Sequence, residues 1–376
     1  MSDNTASRRT FLAAPLALQA VPPASSSPSS SITTKVLGRT GLQVTTVGFG
    51  TMITSDASVI ERAVDLGINY FDTARTYQSG NCERMVGAAL KTHRKSLILS
   101  TKTGKEDKDG ALQDLETSLK ELQTDFVDIW YIHAKSRSAQ LTEERLEAQR
   151  IAKQRGMIRF SGVSTHAGFD DIIPAAIQSG AIDVILTSYN FTMGAAIDPL
   201  IVSAKKAGLG VVAMKVMAGG FRRVKPGDPL YPTFKKDGVF PAALRWALRN
   251  PNIDTTIPSI TDHDQLDENF RCMGAPFSSS DSKLLAEQRD YIRPLYCRAC
   301  GACTGVCPKG LPIPEILRHV MYAEGYGQFA MAREHYLELP QAVRDVRCQD
   351  CETCAVHCPN QVAVAQRLMR AQELLA

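Results

Sequence analysis

Short apolar runs alternate along most of the chain with longer stretches in which apolar residues recur every three or four positions. The short runs have the length and composition of strands, and the longer stretches have helical periodicity. We predict eight strands, at residues 44–50, 69–72, 97–101, 127–133, 159–164, 184–188, 210–214 and 255–258. We predict helices between them, at residues 58–66, 111–122, 142–154, 170–179, 199–207 and 241–248.

A strand–helix unit repeats about every 25 to 30 residues over about 250 residues, which is typical of a (β/α)8 TIM barrel. The alternative α/β fold is a doubly wound open sheet. That fold usually has a Gly-x-Gly-x-x-Gly turn after its first strand. The chain offers only Gly48-Phe49-Gly50 there, without a third glycine at the start of a helix. The sequence therefore favours the barrel.

Four polar side chains lie at one predicted rim of this barrel, the C-terminal ends of its strands, where such folds carry their chemistry. Asp72 ends the second strand, Lys102 the third and His133 the fourth, and Tyr77 follows Asp72 by five residues. Singly, they could be a helix cap, a surface charge, a core histidine and a loop aromatic. Their common placement favours a catalytic site.

Lys102 ends an apolar strand, and a buried ammonium needs a partner. Asp72 on the adjacent strand is the expected partner. A tyrosine beside such a pair has its phenolate stabilised, so we predict a lowered pKa for Tyr77 and a role as proton donor near neutrality. His133 could then hydrogen-bond a substrate carbonyl.

The segments at 37–42 (Leu-Gly-Arg-Thr-Gly-Leu), 48–52 (Gly-Phe-Gly-Thr-Met) and 71–74 (Phe-Asp-Thr-Ala), followed by Tyr77 and Glu83, resemble motifs of the aldo-keto reductase superfamily. The resemblance extends over residues 37–270. It implies hydride transfer between a nicotinamide cofactor and an aldehyde or ketone. It also implies a catalytic tetrad of Asp72, Tyr77, Lys102 and His133.

The resemblance implies cofactor contacts at Gly50, Thr51, Met52, Ser164, Thr165, Met214, Lys215, Ser259, Gln265, Glu268 and Asn269. Several of these positions depart from the family pattern. Thr165 replaces an asparagine, Leu186 a glutamine, and Met214 with Lys215 an aromatic residue. Ser259 and Gln265 stand where basic residues usually hold the 2′-phosphate, so NADP and NAD both stay open. The segment at residues 257–269 resembles the loop that binds the adenine and the ribose phosphate. The start of the helix in this segment is a natural phosphate site.

Eight of the ten cysteines form one pattern that occurs twice, Cys-x-x-Cys-x-x-Cys-x-x-x-Cys-Pro. Three closely spaced thiolates suit one cluster, and the cysteine before proline reaches the neighbouring cluster. We predict two [4Fe-4S] clusters, with zinc or disulfides as the alternatives. One cluster has the ligands Cys297, Cys300, Cys303 and Cys358, and the other has Cys348, Cys351, Cys354 and Cys307.

The segment between the two cysteine runs carries helical patterns at residues 315–322 and 328–337. It resembles an α-helical ferredoxin-like dicluster domain, which follows the barrel in one branch of the superfamily. Cys82 and Cys272 lie outside the repeated pattern, and we predict that they are packing residues. The predicted domains are a leader at 1–34, the barrel at 35–282 and the dicluster domain at 283–376.

The N-terminus contains Ser-Arg-Arg-Thr-Phe-Leu at 7–12, an apolar stretch at 11–21 and a Pro/Ser-rich spacer at 22–31. This order is similar to a twin-arginine export signal and predicts a periplasmic or exported protein, with a cytoplasmic location as the alternative. The net charge is only +4 and no basic stripe occurs, so we expect no nucleic-acid partner. The chain contains no run of eighteen apolar residues, so we expect no transmembrane span in the mature chain.

The sequence thus predicts an oxidoreductase with a small carbonyl or alcohol substrate. Nicotinamide transfers two electrons together whereas each cluster transfers one. A bound flavin or a partner redox protein would be needed to connect them, unless the clusters have an unlinked structural role. The alternative is an electron-transfer protein whose barrel only supports the dicluster domain.

Overall fold

The computed structural model describes residues 32–193, 195–219 and 238–376. Eight parallel strands follow one another around a single sheet in chain order. Bridges from Val47 to Thr256 and from Gly50 to Ser259 join the first strand to the last. The fold is therefore the predicted (β/α)8 barrel and not an open sheet. Its strands are β3 (Phe49–Gly50), β4 (Tyr70–Asp72), β5 (Ile98–Thr103), β6 (Val127–Ile132), β7 (Ile158–Thr165), β8 (Val184–Ser188), β9 (Gly210–Met214) and β10 (Thr255–Thr256).

The first strand was predicted as one run at 44–50, and this prediction is wrong. Two short strands, β1 (Thr34–Val36) and β2 (Gln43–Thr45), pair antiparallel as a hairpin outside the barrel sheet. The chain then changes partners, because Thr46 N donates to Thr33 O but Gly48 N donates to Thr256 O. Only β3 joins the barrel. The other seven strands lie within about two residues of their predicted positions, as ordinary boundary uncertainty allows.

Six of the barrel helices agree with the predicted amphipathic stretches, whereas α2 and α8 were not among those stretches. Side chains of Asp56, Asp107 and Thr142 cap three of them by accepting backbone N–H bonds, which satisfies donors that a helix start leaves unpaired. The helices that surround the barrel are α1 (Ala57–Asp65), α2 (Asn81–Leu90), α3 (Lys108–Glu121), α4 (Glu143–Gln154), α5 (Phe169–Ser179), α6 (Asp198–Lys206), α7 (Val239–Leu248) and α8 (His263–Phe270).

Apolar side chains fill both the barrel and the layer between strands and helices. Inside the barrel, the hairpin residue Leu37 is fully buried with Tyr131 and Leu186. Between the sheet and the helices, residues such as Phe71 and Trp130 belong to one continuous core. This packing fixes the strand ends and the side chains that they present.

Of the helices that follow the barrel, the first packs on the barrel and the later ones form a second core. Helix α9 (Ser279–Ile292) packs on α7, where Arg245 Nε donates to Asp281 Oδ2 at 3.0 Å. The predicted domain boundary at 282 lies inside α9 and stays a prediction. The second core is built mainly by α10 (Ile313–Glu324), α11 (Phe329–Leu337) and α13 (Val364–Leu375), with the short α12 (Gln341–Arg344) between them. Two of these helices confirm the patterns predicted at 315–322 and 328–337.

None of the helices in the described ranges is both long and apolar enough to cross a bilayer. The predicted export signal lies outside the described residues, as does most of the loop after β9.

Candidate functional site

The core of the site is a buried ion pair at the C-terminal rim of the barrel. Lys102 Nζ lies 2.5 Å from Asp72 Oδ2, and it donates a second hydrogen bond to Thr73 O at 2.6 Å. The other carboxylate oxygen of Asp72 accepts from Ser100 Oγ at 2.7 Å. The predicted pairing of these two side chains is thus present. Neighbouring parallel strands position it, because Asp72 ends β4 and Lys102 lies on β5.

Tyr77 and His133 lie beside this pair. Lys102 Nζ is 4.9 Å from the centre of the Tyr77 ring, and the rings of Tyr77 and His133 meet edge to face with centroids 6.0 Å apart. The loop that carries Tyr77 is held by Gln78, whose Nε2 donates to Thr54 O at 2.8 Å. The structure therefore brings all four predicted rim residues together.

The surroundings set the protonation of these groups. Burial raises the pKa of Asp72 and lowers that of Lys102, while the charge of each partner opposes these shifts. Burial, followed by the electrostatic influence of Lys102, holds the pKa of His133 well below its usual range. His133 is therefore a neutral imidazole at neutral pH. It can act as a hydrogen-bond donor or acceptor without carrying charge.

The predicted lowering of the Tyr77 pKa is wrong, because the pKa of Tyr77 is raised well above 10. Burial is the main cause, and the Asp72 carboxylate adds to it. The cation of Lys102 can be inferred from the sequence pattern, whereas the burial of the phenol and its neighbours Tyr322 and Tyr326 depend on the tertiary structure. Tyr77 is consequently protonated at neutral pH, which is the state that a proton donor needs.

A buried carboxylate below the loop completes the support of the site. Glu83, on α2, is fully buried, and its two oxygens accept from Thr101 Oγ1 at 2.6 Å and from Arg75. Arg75 lies between Asp72 and Tyr77 in the chain. Glu83 thus links Arg75, in the loop of Tyr77, to Thr101, on the same strand as Lys102.

A cavity of about 910 Å³ opens above the tetrad, and Tyr77 and His133 line it. Nine of the eleven predicted cofactor contacts also line this cavity: Gly50, Thr51, Met52, Met214, Lys215, Ser259, Gln265, Glu268 and Asn269. The structure does not bring Ser164 and Thr165 to its wall. Their hydroxyls bond to backbone instead, since Ser164 Oγ accepts from Ala134 N at 2.7 Å and Thr165 Oγ1 donates to Ala167 O at 2.7 Å.

Helices of the second core close the cavity from above, and sequence reasoning missed this contribution. The side chains that these helices and the connection between α10 and α11 bring to the wall include Arg318, His319, Tyr322, Tyr326 and His335. The helical pattern of α10 and α11 was visible in the sequence, but no local signal shows which surface a helix will cover. We call this group of five side chains the roof.

The paired cysteine patterns lie within the second core, where six of the eight cysteines pack against its apolar side chains. Burial raises the pKa of Cys297 to about 11, and the nearby thiols of Cys303, Cys300 and Cys358 add to the rise. Burial also raises the pKa of Cys348, with further contributions from Cys307, Cys351 and Cys354. The thiols that influence Cys297 and those that influence Cys348 are the ones that the predicted crossed ligand sets assign to each.

Hydrogen bonds to sulfur support the same interpretation. Ala299 N donates to Cys297 Sγ at 3.3 Å, and Asn360 Nδ2 donates to Cys300 Sγ at 3.2 Å. Such bonds help to tune cluster potentials.

All ten cysteines are free thiols. Cys82 and Cys272 are buried, and burial raises the pKa of each to about 12, as expected of packing residues.

Residues 46–290 match the aldo/keto reductase family, and residues 296–363 match the 4Fe-4S dicluster domain. A family match over more than half of the chain, on a closed barrel with eight parallel strands, defines the class of protein. The chain belongs to the aldo/keto reductase family and carries a C-terminal 4Fe-4S dicluster domain. It is an oxidoreductase with iron–sulfur clusters.

The chain is 27% identical to L-galactose dehydrogenase of Arabidopsis thaliana, over 71% of this chain and 96% of that protein. It is 28% identical to the uncharacterized oxidoreductase YqkF of Bacillus subtilis, over 54% of this chain and 70% of that protein. Among solved structures it resembles the holo form of the aldo-keto reductase AKR11C1 from Bacillus halodurans. That likeness has a TM-score of 0.59 at 24% identity, and covers 68% of this chain and 96% of the other.

Proposed function

We propose that the protein interconverts a carbonyl compound and its alcohol, with a nicotinamide cofactor as the hydride carrier. The observation that carries this proposal is the convergence of Asp72, Tyr77, Lys102 and His133 below one cavity. When bound, the nicotinamide supplies or accepts the hydride. The residues of the chain must then orient the carbonyl and move one proton.

Tyr77 is the proton donor in reduction, because its phenol is protonated at neutral pH and faces the cavity. Asp72 holds the Lys102 ammonium beside the phenol, and the ammonium favours the negative charge that develops on oxygen as the proton leaves. The neutral His133 orients the carbonyl oxygen by a hydrogen bond. In alcohol oxidation the same residues act in reverse.

Gly50, Thr51 and Met52 at one side of the cavity, together with the loop before α8, form the proposed cofactor site. We favour NAD over NADP. Ser259 and Gln265 line the cavity where the family usually has basic residues for the 2′-phosphate, and neither carries a positive charge. Titration of NADH and NADPH against tryptophan fluorescence tests this preference, and tighter binding of NADPH would reverse it.

The dicluster domain holds two [4Fe-4S] clusters in this proposal, with the ligand sets Cys297, Cys300, Cys303, Cys358 and Cys348, Cys351, Cys354, Cys307. The two groups of neighbouring thiols support this crossed assignment. We propose that the clusters exchange electrons, one at a time, with a redox partner protein. Reductive titration of the anaerobic protein with NADH shows whether the barrel site also feeds them.

The Tyr77→Phe variant tests the proposed chemistry. NAD(P)H-dependent reduction of a panel of aldehydes and ketones should fall by about 10²-fold or more, because general acid catalysis is lost, while cluster absorbance stays unchanged. Tyr336→Phe is the matched control, since Tyr336 is a buried phenol of the second core outside the cavity. Equal activity of wild type and Tyr77→Phe would contradict the proposal and favour a barrel that only supports the clusters.

We also propose that the leader at 1–34 directs export through the twin-arginine route. Proteins take this route already folded, which fits a chain whose clusters are assembled inside the cell. Fusion of residues 1–35 to a reporter, with Arg8 and Arg9 replaced by lysine as the control, tests this proposal. A reporter that stays in the cytoplasm with either leader would contradict it.

A further inference from the structure

A second lysine lies in the cavity, on the roof side. Lys215 follows β9 with a left-handed backbone, at φ +58°. Its Nζ is 4.7 Å from the centre of the Tyr322 ring and 4.8 Å from that of Tyr326. It also donates a hydrogen bond to Tyr322 Oη at 3.5 Å. Lys102 is neutralised by Asp72, but in the described part of the chain no carboxylate pairs with Lys215.

The carboxylates of Glu315 and Glu338, which line the cavity next to the roof, are already engaged. Glu315 forms an ion pair with Arg318 at 3.5 Å, and Glu338 lies 3.3 Å from His335 Nδ1. His319 is 3% exposed and lines the cavity, and its Nδ1 has no hydrogen-bond partner within the described ranges. The roof side of the cavity thus presents a cation and an unpartnered polar atom, and its carboxylates are paired elsewhere.

The energetics of these groups favour an anion. Burial alone would lower the pKa of Lys215, but the phenols of Tyr322 and Tyr326 raise it. Burial would raise the pKa of Tyr322, but the charges of Lys215 and Arg318 outweigh it, and that pKa is lowered. A positive potential therefore acts on the Tyr322 oxygen. Aromatic faces compensate a buried ammonium only in part, so an anionic oxygen would gain a charge-assisted hydrogen bond there.

We propose that Lys215 Nζ and Tyr322 Oη bind a carboxylate group of the carbonyl substrate. The substrate class is then an oxo acid or an aldehyde acid, with its carbonyl at Tyr77 and His133 and its carboxylate at the roof. The dicluster domain thereby takes part in substrate choice, because α10 supplies Tyr322. This inference rests on the proposed function, since it names the substrate of that site.

Direct binding measurements separate this inference from the hydride chemistry. Isothermal titration of the intact protein with para-hydroxymethylbenzoate and with its methyl ester compares a carboxylate with a neutral group of similar shape. These alcohols do not react without oxidised cofactor. We expect the acid to bind at least about tenfold more tightly than the ester, the strength of a hydrogen bond to a charged group.

Lys215→Met should remove this preference and leave ester binding within about twofold. Tyr322→Phe should reduce the preference in part, since it removes only the hydroxyl. The matched controls are Lys120→Met, an exposed lysine of α3, and Tyr336→Phe in the second core. Both controls should keep the full preference for the acid.

The inference is overturned if acid and ester bind equally to the wild type, if neither binds, or if the preference survives in Lys215→Met. It is also overturned if Lys215→Met weakens NADH binding as strongly as acid binding, because Lys215 would then serve the cofactor. Loss of reductase activity in Tyr77→Phe bears on the proposed function alone. The acid-over-ester preference should persist in that variant.

Discussion

Lys102 Nζ lies 2.5 Å from Asp72 Oδ2, and the two side chains are only 1% and 2% exposed. Such a pair is expensive to remove from water, so its presence is weak evidence for stability. Its geometry is strong evidence for a fixed local charge. Thr73 O and Ser100 Oγ take up the remaining hydrogen bonds, which holds the ammonium beside Tyr77. The barrel thus buries a charged pair at the site where the proposed chemistry uses its ammonium group.

Removal of both partners of this pair should destabilise the barrel by less than the two single removals added together. Lys102→Met leaves the buried Asp72 carboxylate unpaired, and we expect it to cost about 3–5 kcal/mol of unfolding free energy. The double variant Asp72→Asn/Lys102→Met should cost less than the sum of the two single changes, by about 1 kcal/mol or more. Anaerobic urea unfolding followed by circular dichroism measures these values.

An exposed ion pair provides the control. Arg370 and Glu373 lie 3.6 Å apart on α13 with side chains about half exposed or more. Glu373→Gln should change the unfolding free energy by no more than about 0.5 kcal/mol. Strict additivity of the Asp72 and Lys102 changes would show that the two charges do not depend on each other.

The raised pKa of Tyr77 predicts how carbonyl reduction depends on pH. A group whose pKa is raised stays protonated to a higher pH, so the proton donor remains available throughout the neutral range. We expect kcat/KM for reduction to show no loss of this group up to about pH 10, the ordinary pKa of tyrosine. Steady-state assays at fixed ionic strength measure the profile.

Tyr322→Phe is the control for this profile, because the pKa of Tyr322 is lowered and its titration could reach the assay range first. A decline that disappears in Tyr322→Phe belongs to the roof. A decline of kcat/KM near pH 7 to 8 that persists in Tyr322→Phe, and that Tyr77→Phe removes, would contradict the prediction. It would mean that burial does not determine the pKa of Tyr77.

Much of the barrel could be predicted because its sequence signals are local. The strand that carries Lys102 begins with the apolar run Leu97-Ile98-Leu99, and the helix after Thr142 begins with a capping side chain. The first strand was mispredicted for a physical reason. The segment from Val44 to Gly50 looks continuous, yet its backbone bonds first to the hairpin and then to Thr256. Only the closed barrel determines that change.

The floor of the site could be predicted, but its roof could not. Asp72, Lys102 and His133 follow from the rule that parallel strands end at one rim. Tyr322 belongs to α10, far from these three residues in the chain. Its position over Lys215 depends on how the barrel core and the second core pack together. The pKa of Tyr77 was mispredicted for a related reason, since burial raises it and Tyr322 of that helix adds to the rise.

Gly162 of β7 should tolerate no side chain, because Tyr131 fills the space in front of it. A Cβ at Gly162 would lie 2.3 Å from Tyr131 Cδ1, and the Tyr131 hydroxyl is bonded to Tyr70 Oη at 2.9 Å. The ring cannot move without breaking this contact inside the barrel. We expect Gly162→Ala to cost about 1–3 kcal/mol of unfolding free energy. Gly104→Ala, which has open space around its Cβ, should be nearly neutral.

Pairs of cysteine substitutions test whether the ligand sets cross between the two runs. Cys307 precedes Cys348 by 41 positions, yet Cys307 is the leading electrostatic neighbour of Cys348, as the crossed assignment requires. The double variant Cys307→Ser/Cys348→Ser should lose one cluster and keep about four irons per chain. Cys307→Ser/Cys297→Ser should instead lose both. Iron and sulfide analysis with low-temperature EPR measures the outcome on anaerobically purified protein.

The uncrossed assignment predicts the reverse for these two variants, because Cys297 and Cys307 would then share a cluster. Cys82→Ser is the control and should keep about eight irons, since its thiol lies in the barrel and donates to Thr51 O at 3.2 Å. Full iron content in both double variants would show that serine replaces these ligands. Alanine at the same positions would then be needed, and it should restore the predicted difference, because alanine offers no ligand atom.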